Sequence, residues 1–278
     1  MKETVTVVIP AYNEERNIGR IVGIIREAHP AFEVLVVDDG SRDGTAGAAR
    51  GAGARVVSHP YNMGNGAAVK TGIRNADGEV IVLMDGDGQH DPSDIPRLLD
   101  RLEGYAMVVG ARGSGSQASW ARSLGNAIYN RMASYVASTR IPDLTSGFRA
   151  MRRKEARRFL SILPNTFSYP STLTLCFLRA GYPVAFEEIQ VAARKGGSSK
   201  IRLIDDGMRF LLIIIKIATL YSPLRIFIPV SLFFFGTGAL YYLYTYIVFH
   251  RLTNMAVFML STSVIIFMMG IVSEQGSQ

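Results

Sequence analysis

Short apolar runs alternate with amphipathic stretches along residues 1–200, and the two differ in period. Thr4–Ile9 reads as a buried strand stopped by Pro10, and Arg16–Ala28 reads as a helix. Glu33–Val37 is a second strand running into Asp38-Asp39-Gly40-Ser41; Asp43 is placed to cap the next helix, which extends to about Arg50. Arg55–Ser58 is a third strand, Gly64–Ala76 a helix, and Val80–Met84 a fourth strand ending at Asp85-Gly86-Asp87. Pro92–Glu103 then reads as a helix and Ala106–Gly110 as a fifth strand. Strands alternating with helices predict an α/β domain, a mostly parallel sheet flanked by helices and joined by right-handed crossovers.

The pattern changes near the C-terminus. Residues 226–249 and 252–273 carry no formal charge, and only His250 and Arg251 separate them. About 20 apolar residues are enough for a helix to cross a bilayer, so the two runs predict a transmembrane hairpin. Tyr241, Tyr242, Tyr244 and Tyr246 resemble an interfacial belt. Residues 201–222 are apolar but carry Arg202, Asp205, Asp206, Arg209 and Lys216, as an amphipathic helix along the interface or packed on the domain would. The expected organisation is a catalytic domain over 1–200, an interface helix over 201–222 and the hairpin over 223–278. Basic residues gather before the first span at Arg202, Arg209, Lys216 and Arg225, which predicts a cytoplasmic catalytic domain. Met1–Glu3 leads directly into the first apolar run, without a signal-peptide pattern.

Charge narrows the partners. The net charge is +7, with one cluster at Arg149, Arg152, Arg153, Lys154, Arg157 and Arg158 and another at Arg194, Lys195, Lys200 and Arg202. Beside apolar spans these suit phosphate or anionic lipid, and no nucleic-acid motif is present. Arg152–Arg158 reads as a solvated helix face. Cys176, the only cysteine, excludes an internal disulfide and a Cys/His zinc cluster.

Parallel sheets bind ligands beyond the carboxyl ends of their strands, where Tyr12-Asn13-Glu14, Asp38-Asp39 and Asp85–Gln89 fall. There is no G-x-G-x-x-G after the first strand and no G-x-x-x-x-G-K-[ST], so the usual glycine-rich phosphate cradles are missing. Asp85 and Asp87 flank a glycine just after an apolar strand, and residues i and i+2 of extended backbone point the same way. Two converging carboxylates repel unless a cation lies between them, and hard oxygens select Mg²⁺ or Mn²⁺. Gln89 could add an amide oxygen, whereas His90 reads as a lone surface histidine. Of Asp38 and Asp39, one could contact a base or ribose while the other caps the turn.

Val8-Ile9-Pro10-Ala11-Tyr12-Asn13-Glu14, Val36-Val37-Asp38-Asp39-Gly40-Ser41 and Asp85-Gly86-Asp87 together resemble family 2 glycosyltransferases of the GT-A fold. Thr145-Ser146-Gly147-Phe148-Arg149 and Arg194-x-x-Gly197-x-Ser199-Lys200 are similar to the polyprenyl-phosphate (dolichyl-phosphate) mannosyl/glucosyl synthase branch, in which a two-helix anchor also occurs. The resemblance implies that Pro10, Tyr12, Glu14, Val37 and Asp39 line the nucleotide, with Gly86 meeting the nucleotide sugar through its backbone. It implies metal binding by Asp85 and Asp87 with Gln89 beside them, and phosphate contact by Arg112. Arg194 and Lys200 would close over the donor diphosphate, while Arg122, Ser123 and Arg149 are candidates for the acceptor phosphate. The Q-x-x-R-W motif of processive synthases is missing, and the only tryptophan is Trp120, so single sugar transfer is expected.

The implied reaction moves one hexose from a nucleotide sugar, GDP-mannose or UDP-glucose, to a membrane polyprenyl phosphate with inversion. Such an acceptor is already anionic and needs no general base. Two alternatives stay open: transfer to a sugar hydroxyl of a lipid-linked glycan, and a non-catalytic membrane sensor of nucleotide sugars. The hairpins could also pack between subunits of a homo-oligomer.

Overall fold

The computed structural model describes residues 3–112, 120–166, 168–189 and 223–275, though not the side chains of 120–126, 128 and 136. The chain divides into two compact units, Met1–Gly207 and Met208–Gln278.

The first unit is built on one sheet. Its strands are β1 (Val5–Ala11), β2 (Glu33–Asp38), β3 (Arg55–Ser58), β4 (Val80–Leu83), β5 (Met107–Arg112), β6 (Arg149–Arg152) and β7 (Val184–Ile189), in spatial order β3-β2-β1-β4-β6-β5-β7. All pairings are parallel except those of β6, which runs antiparallel between β4 and β5. The helices are α1 (Glu15–Ala28), α2 (Thr45–Gly51), α3 (Asn65–Asn75), α4 (Ile95–Arg101), α5 (Trp120–Ala137), α6 (Arg153–Arg158) and α7 (Tyr169–Arg179). A 3₁₀ turn at Pro92–Asp94 precedes α4. Ile18, Val22 and Ile25 of α1 and Ile95 and Leu98 of α4 pack with Val7, Ile9, Val36, Val82 and Val108 of the sheet to form one core. Burying such side chains contributes roughly 1.5–3 kcal/mol each.

The five predicted strands are present, while β6 and β7 were not foreseen. Arg149-Ala150-Met151-Arg152 is assigned no element from the sequence, yet its first three residues are buried and it fills the gap between β4 and β5. β7 lies at the sheet edge and carries two acids, Glu187 and Glu188. Arg97 of α4 holds it by hydrogen bonds to Glu187 Oε1 at 2.8 Å and to the Glu188 carbonyl at 2.9 Å.

Because β6 is reversed, its ends lie on opposite edges of the sheet. Arg149 stands level with Leu83, at the carboxyl ends of the parallel strands, and Arg152 level with Val80, at their amino ends. The basic face of α6 therefore starts on the edge away from Asp85–Gln89. It is more than a solvated surface. Arg152 pairs with Glu3, Arg153 donates to the Ala76 carbonyl, Arg157 to the Arg74 carbonyl at 3.4 Å, and Arg158 to the Tyr182 hydroxyl at 2.6 Å. Two of these cations thus meet the carbonyl-rich C-terminal end of α3, where a helix favours positive charge.

The second unit is an antiparallel pair of helices, α8 (Leu224–Phe249) and α9 (Asn254–Gln275), turned at His250, whose φ is 49°. Both are long and apolar enough to span a membrane. Leu232, Phe233, Leu240 and Phe258 are each more than 60% exposed, the reverse of a hairpin hidden in a soluble core. Inside the pair, Ser231, Gly238 and Thr245 of α8 and Ala256, Ser263 and Gly270 of α9 are buried. These positions repeat every seventh residue, the spacing that keeps one seam of each helix on its partner. Small residues there let the backbones approach, and Ser231 Oγ donates to the Ser263 carbonyl at 2.8 Å.

A Cβ at Gly270 would lie 2.7 Å from Phe227 Cβ. Gly270→Leu should therefore cost about 1–3 kcal/mol through overpacking and lower the thermal midpoint of the detergent-solubilised protein. Val264→Leu, on the 59%-exposed face, should leave the midpoint unchanged. Equal midpoints for the two variants would show that this seam does not hold the hairpin.

Candidate active site

Strand polarity brings the polar clusters together. β1, β2, β4 and β5 all end on one edge, and Arg149 of the reversed strand enters there. Backbone and side-chain bonds knit the first two loops. The Asn13 amide, at φ 56°, donates to Ser41 Oγ at 3.0 Å, and Asn13 Oδ1 accepts from the Arg42 amide at 2.9 Å. The Glu14 amide donates to Thr45 Oγ1 at 2.9 Å, and Glu14 Oε2 accepts from Asn17 Nδ2 at 2.9 Å. Asp43 Oδ1 takes the Thr45 amide at 3.1 Å, so it braces the start of α2 from one residue before the cap. Tyr12 and Glu14 are half-buried at the rim. Pro10 and Val37 are buried neighbours in the sheet, so Val37 could offer a ligand only its backbone.

The adjacent aspartates divide their work. Asp38 Oδ1 accepts from the Ser41 amide at 3.1 Å and so caps the turn. Asp39 is 3% exposed and accepts from His59 Nδ1 at 2.7 Å, the Met63 amide at 2.9 Å and the Gly64 amide at 2.9 Å. His59 Nε2 meets Thr71 Oγ1 at 2.9 Å. The Asp39 carboxylate thereby holds the loop leading into α3. His59 and Thr71 were overlooked in the sequence because nothing in their spacing to Asp39 marks them as its partners.

Asp85, Gly86, Asp87 and Gln89 follow β4. The Gln89 amide donates to Asp87 Oδ1 at 3.1 Å, which curls the loop through Gly88 at φ 75°. Burial pushes the Asp85 carboxyl above its ordinary range and the like charge of Asp87 adds to this, against the opposing pull of His90, Arg149 and Arg112. His90 is not a surface residue: it is 8% exposed, stacks on Phe148 with ring centroids 5.1 Å apart, and its Nδ1 stops 3.9 Å from Asp85 Oδ2. The Thr145-Ser146-Gly147 loop rides over the same carboxylate. A Cβ at Gly147 would lie 2.6 Å from Asp85 Oδ2, so glycine permits the approach. His90 Nδ1, Ser146 Oγ and Arg149 Nε are buried here without a hydrogen-bond partner among the described residues. No group of three His, Cys, Asp or Glu side chains that could hold a metal occurs among the described residues. Two carboxylates on one loop, flanking Gly86, thus suit a hard cation whose remaining ligands come from a bound molecule.

Arg112 ends β5 beside this cluster. Its Nε donates to Asp143 Oδ2 at 2.7 Å and its Nη2 to Asp143 Oδ1 at 3.0 Å, and Nη2 also reaches Thr145 Oγ1. Burial alone would raise the Asp143 carboxyl, but Arg112 holds it below its ordinary value. Asp143 was passed over in the sequence, although it stands two residues before the Thr145–Arg149 motif.

Arg149 is fully buried. Its Nη1 donates to the Pro170 carbonyl at 3.0 Å and to Thr174 Oγ1 at 3.1 Å, and its Nη2 donates to the Ser146 carbonyl. Burial pushes the guanidinium pKa down, offset by Tyr169, Asp143 and Asp85. These bonds tie β6 to α7 and to the loop over Asp85. The side chains of Arg122 and Ser123, and all of Arg194, Lys200 and the 201–222 segment, lie outside the described residues. β7 ends at Ile189 in register with Arg112, on this same edge.

A parallel-dominated sheet with paired aspartates at its carboxyl edge defines the class: a GT-A-type sugar transferase. The chain belongs to glycosyltransferase family 2, whose profile (Glycosyl transferase family 2) matches residues 6–159; residues 222–278 match the GtrB C-terminal hairpin. It is 31% identical to polyprenol monophosphomannose synthase of Mycolicibacterium smegmatis over 70% of this chain and 82% of that one. It is 32% identical to undecaprenyl-phosphate 4-deoxy-4-formamido-L-arabinose transferase of Aeromonas hydrophila over 59% of this chain, a match spanning 56% of that longer relative. The fold also matches glucosyl-3-phosphoglycerate synthase from Mycobacterium tuberculosis, solved with Mn²⁺, UDP-glucose and phosphoglyceric acid, with TM-score 0.63 at 22% identity over 78% and 80% of the two chains. The protein is thus a membrane-anchored glycosyltransferase.

Truncating Arg149 would take away the donor to the buried Ser146 carbonyl, leave the Pro170 carbonyl and the Thr174 hydroxyl with only each other, and empty a fully buried position. Arg149→Ala should lose about 3 kcal/mol or more of stability, and Arg149→Lys, which cannot span three acceptors as a fork, a large part of that. Thermal unfolding with and without nucleoside diphosphate checks this. Unchanged melting with weakened ligand binding would make Arg149 a ligand contact instead of a brace.

Proposed function

We propose that the protein transfers one hexose from a nucleotide sugar to a polyprenyl phosphate at the cytoplasmic membrane face, in a metal-dependent and inverting reaction. The observation that carries this is the meeting of Asp85, Asp87 and Arg112 at one sheet edge, in a chain that also carries an apolar hairpin. The curated relatives named for polyprenol- and undecaprenyl-phosphate transfer support the acceptor class.

In this reading Asp85 and Asp87, with Gln89 beside them, hold Mg²⁺ or Mn²⁺, which supplies positive charge for the donor diphosphate. The loops of Tyr12–Glu14 and Asp38–Ser41 bind the nucleotide, with Pro10 and Val37 beneath it and Gly86 presenting backbone to the sugar. The lipid phosphate oxygen attacks the anomeric carbon, the bond from that carbon to the diphosphate oxygen breaks, and the nucleoside diphosphate leaves with the electron pair. The attacking oxygen already bears negative charge, so no side chain has to remove a proton. Arg112, with Arg194 and Lys200, stabilises the charge gathering on the leaving group, and Arg122 and Ser123 are the candidates to meet the acceptor phosphate. Arg149, given its burial, acts through the loop it braces. The basic residues before the first span support a cytoplasmic catalytic domain through the positive-inside rule.

The test is organic-phase recovery of label after incubating purified protein and Mn²⁺ with polyprenyl phosphate and each of several radiolabelled nucleotide sugars. One donor should label the lipid, chelator should stop the reaction, and Asp87→Ala should reduce it at least about 100-fold, the scale set by losing electrostatic stabilisation of a transition state. Wild-type rates for Asp87→Ala in chelator would sink the metal role. Label appearing only on a lipid-linked glycan would shift the acceptor to a sugar hydroxyl.

A further inference from the structure

Arg112 has two acidic neighbours with different claims on it. Asp85 is close enough to influence its guanidinium electrostatically, whereas Asp143 grips it directly. The grip is dense. Asp143 Oδ2 accepts from Arg112 Nε at 2.7 Å and from the Arg112 backbone amide at 3.3 Å, and Oδ1 accepts from Nη2 at 3.0 Å. Thr145 completes it: its amide and hydroxyl both donate to Asp143 Oδ1 at 3.0 Å, and its Oγ1 also accepts from Arg112 Nη2. The Nε–Nη2 edge of the planar fork is thus spent. Nη1 makes no hydrogen bond among the described residues, and the side chain remains 31% exposed.

We infer that Asp143 is a positioning residue: it clamps one edge of the Arg112 guanidinium so that the Nη1 edge is presented to a phosphate group, and keeps the cation from collapsing onto Asp85 and Asp87. A guanidinium gripped through Nε and Nη2 cannot rotate about its last bonds without breaking both contacts, so its free edge is aimed before any ligand arrives. A loose arginine would be drawn to the paired carboxylates and would compete there with a divalent cation. Both Asp143 oxygens already accept at least two donors, which makes the carboxylate a poor proton acceptor. Its role is therefore distinct from that of a general base. The inference rests on the transferase reading above.

The experiment is a double-mutant cycle on lipid-linked sugar formation, run with thermal melts and with calorimetric titration of UDP or GDP in the presence of Mn²⁺. Asp143→Asn should cut kcat/KM about 30-fold and weaken nucleoside diphosphate binding, with a smaller shift in melting. In an Arg112→Ala background the same substitution should cost less than about threefold, because its effect runs through Arg112. Should Asp143→Asn fail to fold, Thr145→Val removes one contact to Nη2, and its loss should likewise vanish without Arg112. A loss equally large in both backgrounds would overturn the inference, pointing to a general base if binding is kept and to a purely structural role if melting falls in step. Failure of wild-type protein to label lipid from any donor would instead remove the transferase reading, and the positioning role with it.

Discussion

Carboxylates crowd the carboxyl edge of this sheet, and the local structure there is organised by how each is neutralised. Asp38 is capped by the Ser41 amide, Asp39 by His59 and two backbone amides, and Asp143 by a forked pair with Arg112. Asp85 is treated differently. It meets His90 only at 3.9 Å, shares its loop with Asp87, and has its carboxyl pushed upward by burial. Like charges in a partly desolvated site cost free energy unless a cation joins them, which is why Asp85 and Asp87 are the candidate cation ligands of this edge.

The reversed strand β6 makes this arrangement possible. Inserted between β4 and β5, it brings the Thr145–Arg149 motif back to the edge where those strands end. The buried guanidinium of Arg149 then fastens that motif to α7, and Gly147 lets the loop close on Asp85. The same reversal sends the other basic residues to the far edge, where two of them cap α3. One cluster of arginines in the sequence therefore splits into a brace behind the site and a set of surface contacts remote from it.

The hairpin follows separate rules. Its outward faces are large and apolar and its inner seam is small, with the serine pair supplying a hydrogen bond where side-chain volume is lacking. Without a hydrophobic difference between lipid and neighbouring helix, close approach through small residues is what remains to hold two such helices together.

Much of the fold was legible from periodicity, because β1 to β5 and the intervening helices each bury one repeating apolar set. The two long uncharged runs announced the hairpin, and the acidic pair after β4 announced a candidate site, since carboxylates after an apolar strand must lie at its end. What the sequence could not supply were contacts between residues far apart in the chain. β6 was invisible because burial of a polar segment such as Arg149–Arg152 depends on strands that arrive from elsewhere. His90 read as exposed because only the folded chain stacks Phe148 against it. His59, Thr71 and Asp143 carry no local signal at all; tertiary structure alone decided that they would meet Asp39 and Arg112, because hydrogen-bond partners are chosen by proximity in space and leave no period in the sequence.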